Sequence, residues 1–292
     1  MANKGTHRRL KLHDGRMLGY TEYGAPEGVP LFYFHGFPGS RLDYLFFDAG
    51  GSAMEANARI VAADRPGYGL SSFQRGRRIL DWADDVSALA DALRIDRFAV
   101  LGISGGGPYA AACAFKIPGR LTATGIVSGM GPPGAPGMKD GVSWTLPGTP
   151  SLIRRFVLML TAMGLQRDPD RFLERSKEAF SELDARLLDQ PELAQVFVAG
   201  LQEAFRSGIG GANRDAALYA QPWGFQLQDI SAEVHLWHGA QDANVPVAVG
   251  HKVAQAIPDC NATFYEEEGH LTLARNRITG ILGRLVSEDT GH

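Results

Sequence analysis

The sequence predicts an α/β protein: a mostly parallel sheet flanked by helices, with a helical cap inserted between two of its strands. Three observations carry this. Short apolar runs alternate with amphipathic stretches along most of the chain, the rhythm of parallel strands joined by crossover helices. One run, Phe98-Ala99-Val100-Leu101-Gly102-Ile103-Ser104-Gly105-Gly106-Gly107-Pro108, passes from a strand through glycines into a small-residue helix, with one serine at the bend. Residues 151–207 keep helical periodicity with many charges and no strand pattern.

Taken in order, residues 10–23 alternate around His13-Asp14-Gly15, and a D-G pair between strand-like runs signals a hairpin. Residues 30–34 form a continuous apolar run ending in His35-Gly36-Phe37-Pro38-Gly39, which suits a buried strand opening into a functional loop. Ile60-Val61-Ala62-Ala63 is another, ending in Asp64-Arg65-Pro66-Gly67-Tyr68-Gly69-Leu70-Ser71. Trp82, Ala83, Val86, Leu89, Ala90 and Leu93 recur at three and four, an amphipathic helix over 80–93. The serine-bearing strand and its helix follow, then a strand near 122–128 and a Pro- and Gly-rich hinge over 131–137. Candidate helices of the cap cover 151–163, 169–180 and 191–205. The α/β rhythm resumes with strands at 234–237 and 262–265 and helices at 247–256 and 271–286. Residues 1–133 and 225–292 are thereby expected to form the core, and 134–224 the cap.

With 45% apolar and 21% charged residues, 292 residues suffice for a proper core. A net charge of −3 and a pI near 6.2 provide no basic stripe, which argues against a nucleic-acid partner. Arg8-Arg9 and Arg77-Arg78 read as solvated surface. The basic start lacks the apolar run of about 7 to 15 residues of a secretion signal, and no run approaches the roughly 20 residues that span a bilayer. Cys113 and Cys260 are too few for a disulfide framework and read as buried thiols. A cytoplasmic enzyme with a small-molecule substrate, and with no membrane partner, is the expectation.

Gly102-Ile103-Ser104-Gly105-Gly106 matches G-x-S-x-G, the nucleophile elbow of α/β-hydrolases. The spacing has a steric reason: on a very sharp strand-to-helix turn, side chains two residues either side of the serine collide, so glycines are needed there. Pro108 suits the first turn of the next helix, whose N-terminal amides favour negative charge beside Ser104. Gly105-Gly106-Gly107-Pro108-Tyr109-Ala110 also fits a dinucleotide fingerprint, but the next strand ends in Ser128-Gly129-Met130 without the acid that fingerprint requires.

A serine nucleophile needs a base and a group that orients it. In the elbow-bearing enzymes the chain order is Ser, then Asp or Glu, then His. His270 follows the last strand in Glu268-Gly269-His270, and Asp242 is the carboxylate of the loop after strand 234–237. The backbone amides of Phe37 and Gly105 are the expected oxyanion donors. Asp64 reads as a loop tie. Phe37, Trp144, Phe156, Trp223 and Phe225 are candidates to line the pocket. Glu174, Glu178 and Glu182 would share a face if their helix were unbroken, but interleaved Arg171, Arg175 and Lys177 suggest a solvated surface.

These segments together resemble the α/β-hydrolase superfamily over the whole core, in its order and spacing. The resemblance implies an α/β-hydrolase fold and a cofactor-free serine hydrolase. Haloalkane dehalogenases and epoxide hydrolases are similar around His35–Pro38 and Asp64–Gly69, but carry an aspartate where Ser104 stands. Proline iminopeptidases are similar with a serine, yet usually read H-G-G-P-G where this chain has Phe37. Carboxylic esters are therefore the expected substrates. An aminopeptidase, a lactonase or a carbon-carbon bond hydrolase is the alternative with the same residues, and a non-catalytic ligand receptor the alternative of another class.

Overall fold

Eight strands build one sheet in the computed structural model, which describes residues 5–48, 50–135, 137–138 and 149–287. They are β1 (Thr6–Lys11), β2 (Met17–Gly24), β3 (Val29–Phe34), β4 (Ala58–Ala63), β5 (Phe98–Ile103), β6 (Leu121–Val127), β7 (Val234–Gly239) and β8 (Cys260–Tyr265). Their order is β1-β2-β4-β3-β5-β6-β7-β8. Only β1–β2 and β2–β4 are antiparallel, so the predicted hairpin forms one edge and its turn places Gly15 at φ 86°. Every residue of β5 is buried, as the continuous apolar run requires of a strand covered on both faces.

The helices α1 (Tyr44–Phe47), α2 (Ser52–Glu55), α3 (Asp81–Ala92) and α4 (Gly107–Lys116) lie in the first half, and α10 (Val247–Ala256) and α11 (His270–Ser287) near the end. One core layer packs Trp82 and Val86 of α3, Tyr109 of α4 and Val249 of α10 on the sheet. The other packs Phe46 of α1 with Leu273, Ile278 and Leu282 of α11 on the opposite face. Registry then sets the site. Phe34 pairs Gly102 and Val127 pairs Trp237, so the loops that leave β3, β5, β6 and β7 emerge side by side at the carboxyl edge.

Between β6 and β7 come α5 (Ser151–Arg167), α6 (Pro169–Lys177), α7 (Glu182–Leu188), α8 (Pro191–Ala204) and α9 (Gly210–Tyr219). Among the described residues this is two helices more than the periodicity predicted. The stretch expected as one helix over 169–180 stops at Lys177, and Ser181 starts α7 by accepting a hydrogen bond from the Asp184 amide, 3.3 Å. Glu174, Glu178 and Glu182 consequently share no unbroken helix; Glu174 pairs with Lys177 at 2.7 Å and Glu182 with Arg186 at 2.5 Å. The other unforeseen helix, α9, begins at Gly210-Gly211, a poor helix former by propensity. Gly211 is needed because a Cβ there would meet the Gly67 backbone and the Tyr68 ring. Cys113 is buried, whereas Cys260 is only half-buried; both are free thiols. Among the described residues no helix is long and apolar enough to cross a membrane.

Candidate active site

Ser104 sits at the end of β5 with φ 54°, the strained conformation its glycine neighbours foretold. A Cβ on Gly102 would run into the Gly106 carbonyl, and one on Gly106 into the Phe34 carbonyl. Gly105 is constrained too, since a Cβ there would lie 2.6 Å from Phe37 Cβ, 2.8 Å from Tyr219 Oη and 3.1 Å from Phe37 N. Phe37 and Gly105 are thus brought beside one another, with Gly36 packed on Ser104.

From the far side, His270 Nδ1 lies 2.7 Å from Asp242 Oδ2. The other oxygen, Oδ1, accepts from the amides of Asn244 and Val245, 2.8 Å each, which fixes the carboxylate in its loop. His238, whose Nε2 lies 2.8 Å from the Val245 carbonyl, holds the same loop and approaches Asp242 Oδ2 at 3.5 Å. Burial works to raise the Asp242 carboxyl, yet the His270 charge and hydrogen bond leave it below the usual carboxylate range. Burial likewise opposes the imidazolium of His270, but Asp242 outweighs it and the ring is raised above its ordinary value. With Nδ1–H donated to the carboxylate, Nε2 is left as the acceptor. No hydrogen bond joins Ser104 Oγ to that ring among the described residues; such bonds commonly tighten only around substrate.

Ser104 and His270 line one cavity of about 280 Å³ together with Phe37, Phe46, Phe47, Phe172, Phe180, Phe197 and Phe205. Its lining includes two ionisable side chains, His270 and Asp43. Asp43 accepts from the Ser40 amide at 3.2 Å, and burial pushes its carboxyl up to about 7. Of the described residues expected to line the pocket, only Phe37 does so. Phe156 is 57% exposed, on the solvent side of α5, while Leu158 and Thr161 of that helix face the cavity. Trp223 packs on Phe225, and Phe225 stacks on Phe115 at 5.1 Å within the main core. Trp144 lies outside the described residues.

The family model of the alpha/beta hydrolase fold matches residues 29–274. The chain belongs to that family. This alpha/beta hydrolase is 27% identical over 267 residues to the 2-hydroxy-6-oxo-6-phenylhexa-2,4-dienoate hydrolase of Comamonas testosteroni, covering 87% of this chain and 85% of that one. Identity reaches 34% with a non-heme chloroperoxidase of Streptomyces lividans, but over 41% of this chain and 43% of the relative. The chain spans less than half the length of the first curated relatives it matches. A thermophilic esterase from Thermogutta terrifontis shares the fold with a TM-score of 0.70 at 20% identity, over 97% of this chain and 98% of that one.

Behind the elbow the hydrolase buries a charge network that its sequence did not disclose. Asp215 of α9, fully buried, accepts from Arg65 Nε and Tyr68 Oη at 2.9 Å, from Tyr109 Oη at 2.5 Å, and from Arg77 Nη2. Burial acts to raise its carboxyl, but the Arg77 and Arg65 charges hold it well below the usual range. Arg77 is therefore not the solvated arginine expected: it is 2% exposed and also donates to Tyr109 Oη, 2.8 Å. Arg65 passes the constraint forward, donating to the carbonyls of His35 (2.5 Å) and Gly36 (2.8 Å), and Tyr219 donates to the Gly105 carbonyl at 2.8 Å. Asp64 ties loops as expected, accepting from the amides of Arg41 and Leu70 and from the Arg41 guanidinium.

Removing Asp215 leaves two arginines buried without their counter-charge. Asp215→Ala is expected to destabilise the fold by about 3–5 kcal/mol, the usual result of deleting one partner of a buried ion pair. Chemical denaturation of the purified variant measures this directly. A loss under about 1 kcal/mol would place the Asp215 network among ordinary surface pairs instead.

Proposed function

We propose that the protein is a serine hydrolase that cleaves carboxylic esters with apolar acyl or alkyl groups through an acyl-enzyme. Ser104 attacks the acyl carbon, His270 takes its proton through Nε2 and returns it to the leaving alcohol, and Asp242 holds the imidazole in that tautomer. The amides of Phe37 and Gly105 receive the oxyanion. Residues 134–224 act as the cap over this chemistry.

The observation that carries the reading is the cavity itself: a phenylalanine-lined space shared by Ser104 and His270, with no lysine or arginine among its described lining residues. A neutral apolar ester loses little solvation on entering it, whereas an ion there needs a partner. The dienoate cleaved by the Comamonas relative carries a carboxylate, for which the described lining offers no lysine or arginine. An aminoacyl substrate brings an ammonium instead. The carboxyl it would meet is that of Asp43, whose pKa burial pushes up to about 7, which weakens it as a counter-charge. Glu174 and Glu182 are already paired on the helix surfaces.

The test is kcat/KM measured side by side for a short-chain aryl ester and for prolyl and alanyl anilides. The ester should be faster by at least about tenfold, a difference that pocket chemistry of this kind readily supplies. Because aryl esters are intrinsically more reactive, a faster anilide is the outcome that overturns the ranking.

A further inference from the structure

We propose that Asp184, on the cap helix α7, is a positioning residue for His270: its carboxylate is the N-terminal cap of the helix that begins with that histidine. The inference rests on His270 acting as the base. Asp184 is fully buried. Its Oδ2 accepts from the His270 amide at 2.8 Å, and its Oδ1 from the amides of Leu271 (2.8 Å) and Thr272 (2.9 Å). The first three N–H groups of α11 are thus satisfied by one side chain from an element 86 residues away in sequence. Ser181 Oγ donates to Oδ2 at 2.8 Å and holds the carboxylate from its own helix.

Gly269 explains why the two elements meet so closely. A Cβ at that position would collide with Asp184 Oδ2 and lie 2.6 Å from Ser181 Oγ, so the glycine before the histidine is the space the cap carboxylate enters. Helix starts normally take their cap from the residue just before them. Here the glycine has no side chain to offer, and the cap helix supplies the oxygen atoms. The backbone position of His270 therefore depends on α7 being docked, and its ring depends on Asp242.

Asp184 also adds a negative charge behind the imidazole. Among the described residues, the charged and titratable groups facing His270 are Asp242 from the loop after β7 and Asp184 from α7, with His238 beside Asp242 and Asp43 lining the same cavity. Both carboxylates favour the imidazolium, against burial, so each moves the acid limb of kcat/KM toward higher pH. Asp184 does not line the cavity, so a change at this position should act on kcat and leave KM nearly unchanged.

Two substitutions separate position from charge. Asp184→Asn removes the charge and turns an amide NH₂ toward backbone donors; it should move the acid limb of kcat/KM to lower pH and lower kcat. Asp184→Glu keeps the charge but displaces the oxygens; the limb should stay where it is in the parent while kcat falls, by a factor on the order of 10² for a misplacement near 1 Å. Both are assayed on an aryl ester as folded, full-length protein beside Ser104→Ala and His270→Ala. If those two are dead and the Asp184 variants lose only melting temperature, with kcat and the acid limb unmoved, Asp184 is structural and the inference fails. Should Asp184→Asn not fold, the kcat of Asp184→Glu decides alone, and a parental kcat overturns the proposal. If instead Ser104→Ala or His270→Ala keeps full turnover, it is the serine-hydrolase reading that has failed.

Discussion

Ser104→Ala is expected to lower kcat for an aryl ester by on the order of 10⁶-fold, the scale on which loss of the serine acts in serine hydrolases. The elbow leaves no substitute nucleophile at the same point. Ser104 stands at φ 54° between glycines whose missing Cβ atoms let the turn close, and Gly105 packs closely on Phe37 beside it. The residual rate expected in the variant is the roughly 10³- to 10⁴-fold catalysis over water that oxyanion stabilisation and binding sustain without the serine. Stability should change by no more than about 0.5 kcal/mol, because alanine meets the same positive φ and only a hydroxyl is lost. Stopped-flow detection of the aryl alcohol reads both parts of the claim: the acylation burst disappears and steady turnover collapses. Turnover within tenfold of the parent in a well-folded variant contradicts the assignment of Ser104.

Much of this site is local chemistry, and local chemistry is legible in a sequence. Gly102, Ser104 and Gly106 lie within five positions, so their steric logic needs no knowledge of distant contacts. The same holds for β3, β4 and β5, whose unbroken apolar runs mean burial on both faces, and for Asp242 and His270, one in the loop after a readable strand and the other at the start of the helix after the next. What stayed hidden is set by partners far along the chain. Arg77 and Arg78 are adjacent and chemically alike, yet one is buried against Asp215 and the other exposed, a choice made by α9, 138 residues later. Asp184 reads as one more acid of a charged helical stretch until Gly269 is seen to admit it. The cavity wall was misread for a related reason: Phe156 and Leu158 lie two positions apart on α5, and only docking of the helix decides which of them faces inward.

Asp242→Asn is expected to lower kcat by a factor on the order of 10⁴ while leaving the backbone in place. The geometry states why so small a change acts so strongly. Oδ1 is held by the amides of Asn244 and Val245, so in the variant the carbonyl oxygen takes that position, where it can still accept. The amide nitrogen then faces His270 Nδ1, where the carboxylate oxygen had been. Two donors cannot share that bond, so the imidazole turns to the tautomer protonated at Nε2 and can no longer take the proton of Ser104. The pH dependence tells this apart from a simple shift in the base. Asp242 raises His270, so its loss lowers that pKa and moves the acid limb of kcat/KM to lower pH, where alkaline buffer is not needed to deprotonate the ring. The deficit should therefore persist undiminished from neutral to mildly alkaline pH. A variant whose kcat stays within about tenfold of the parent anywhere in that range would move the orienting role from Asp242 to another carboxylate.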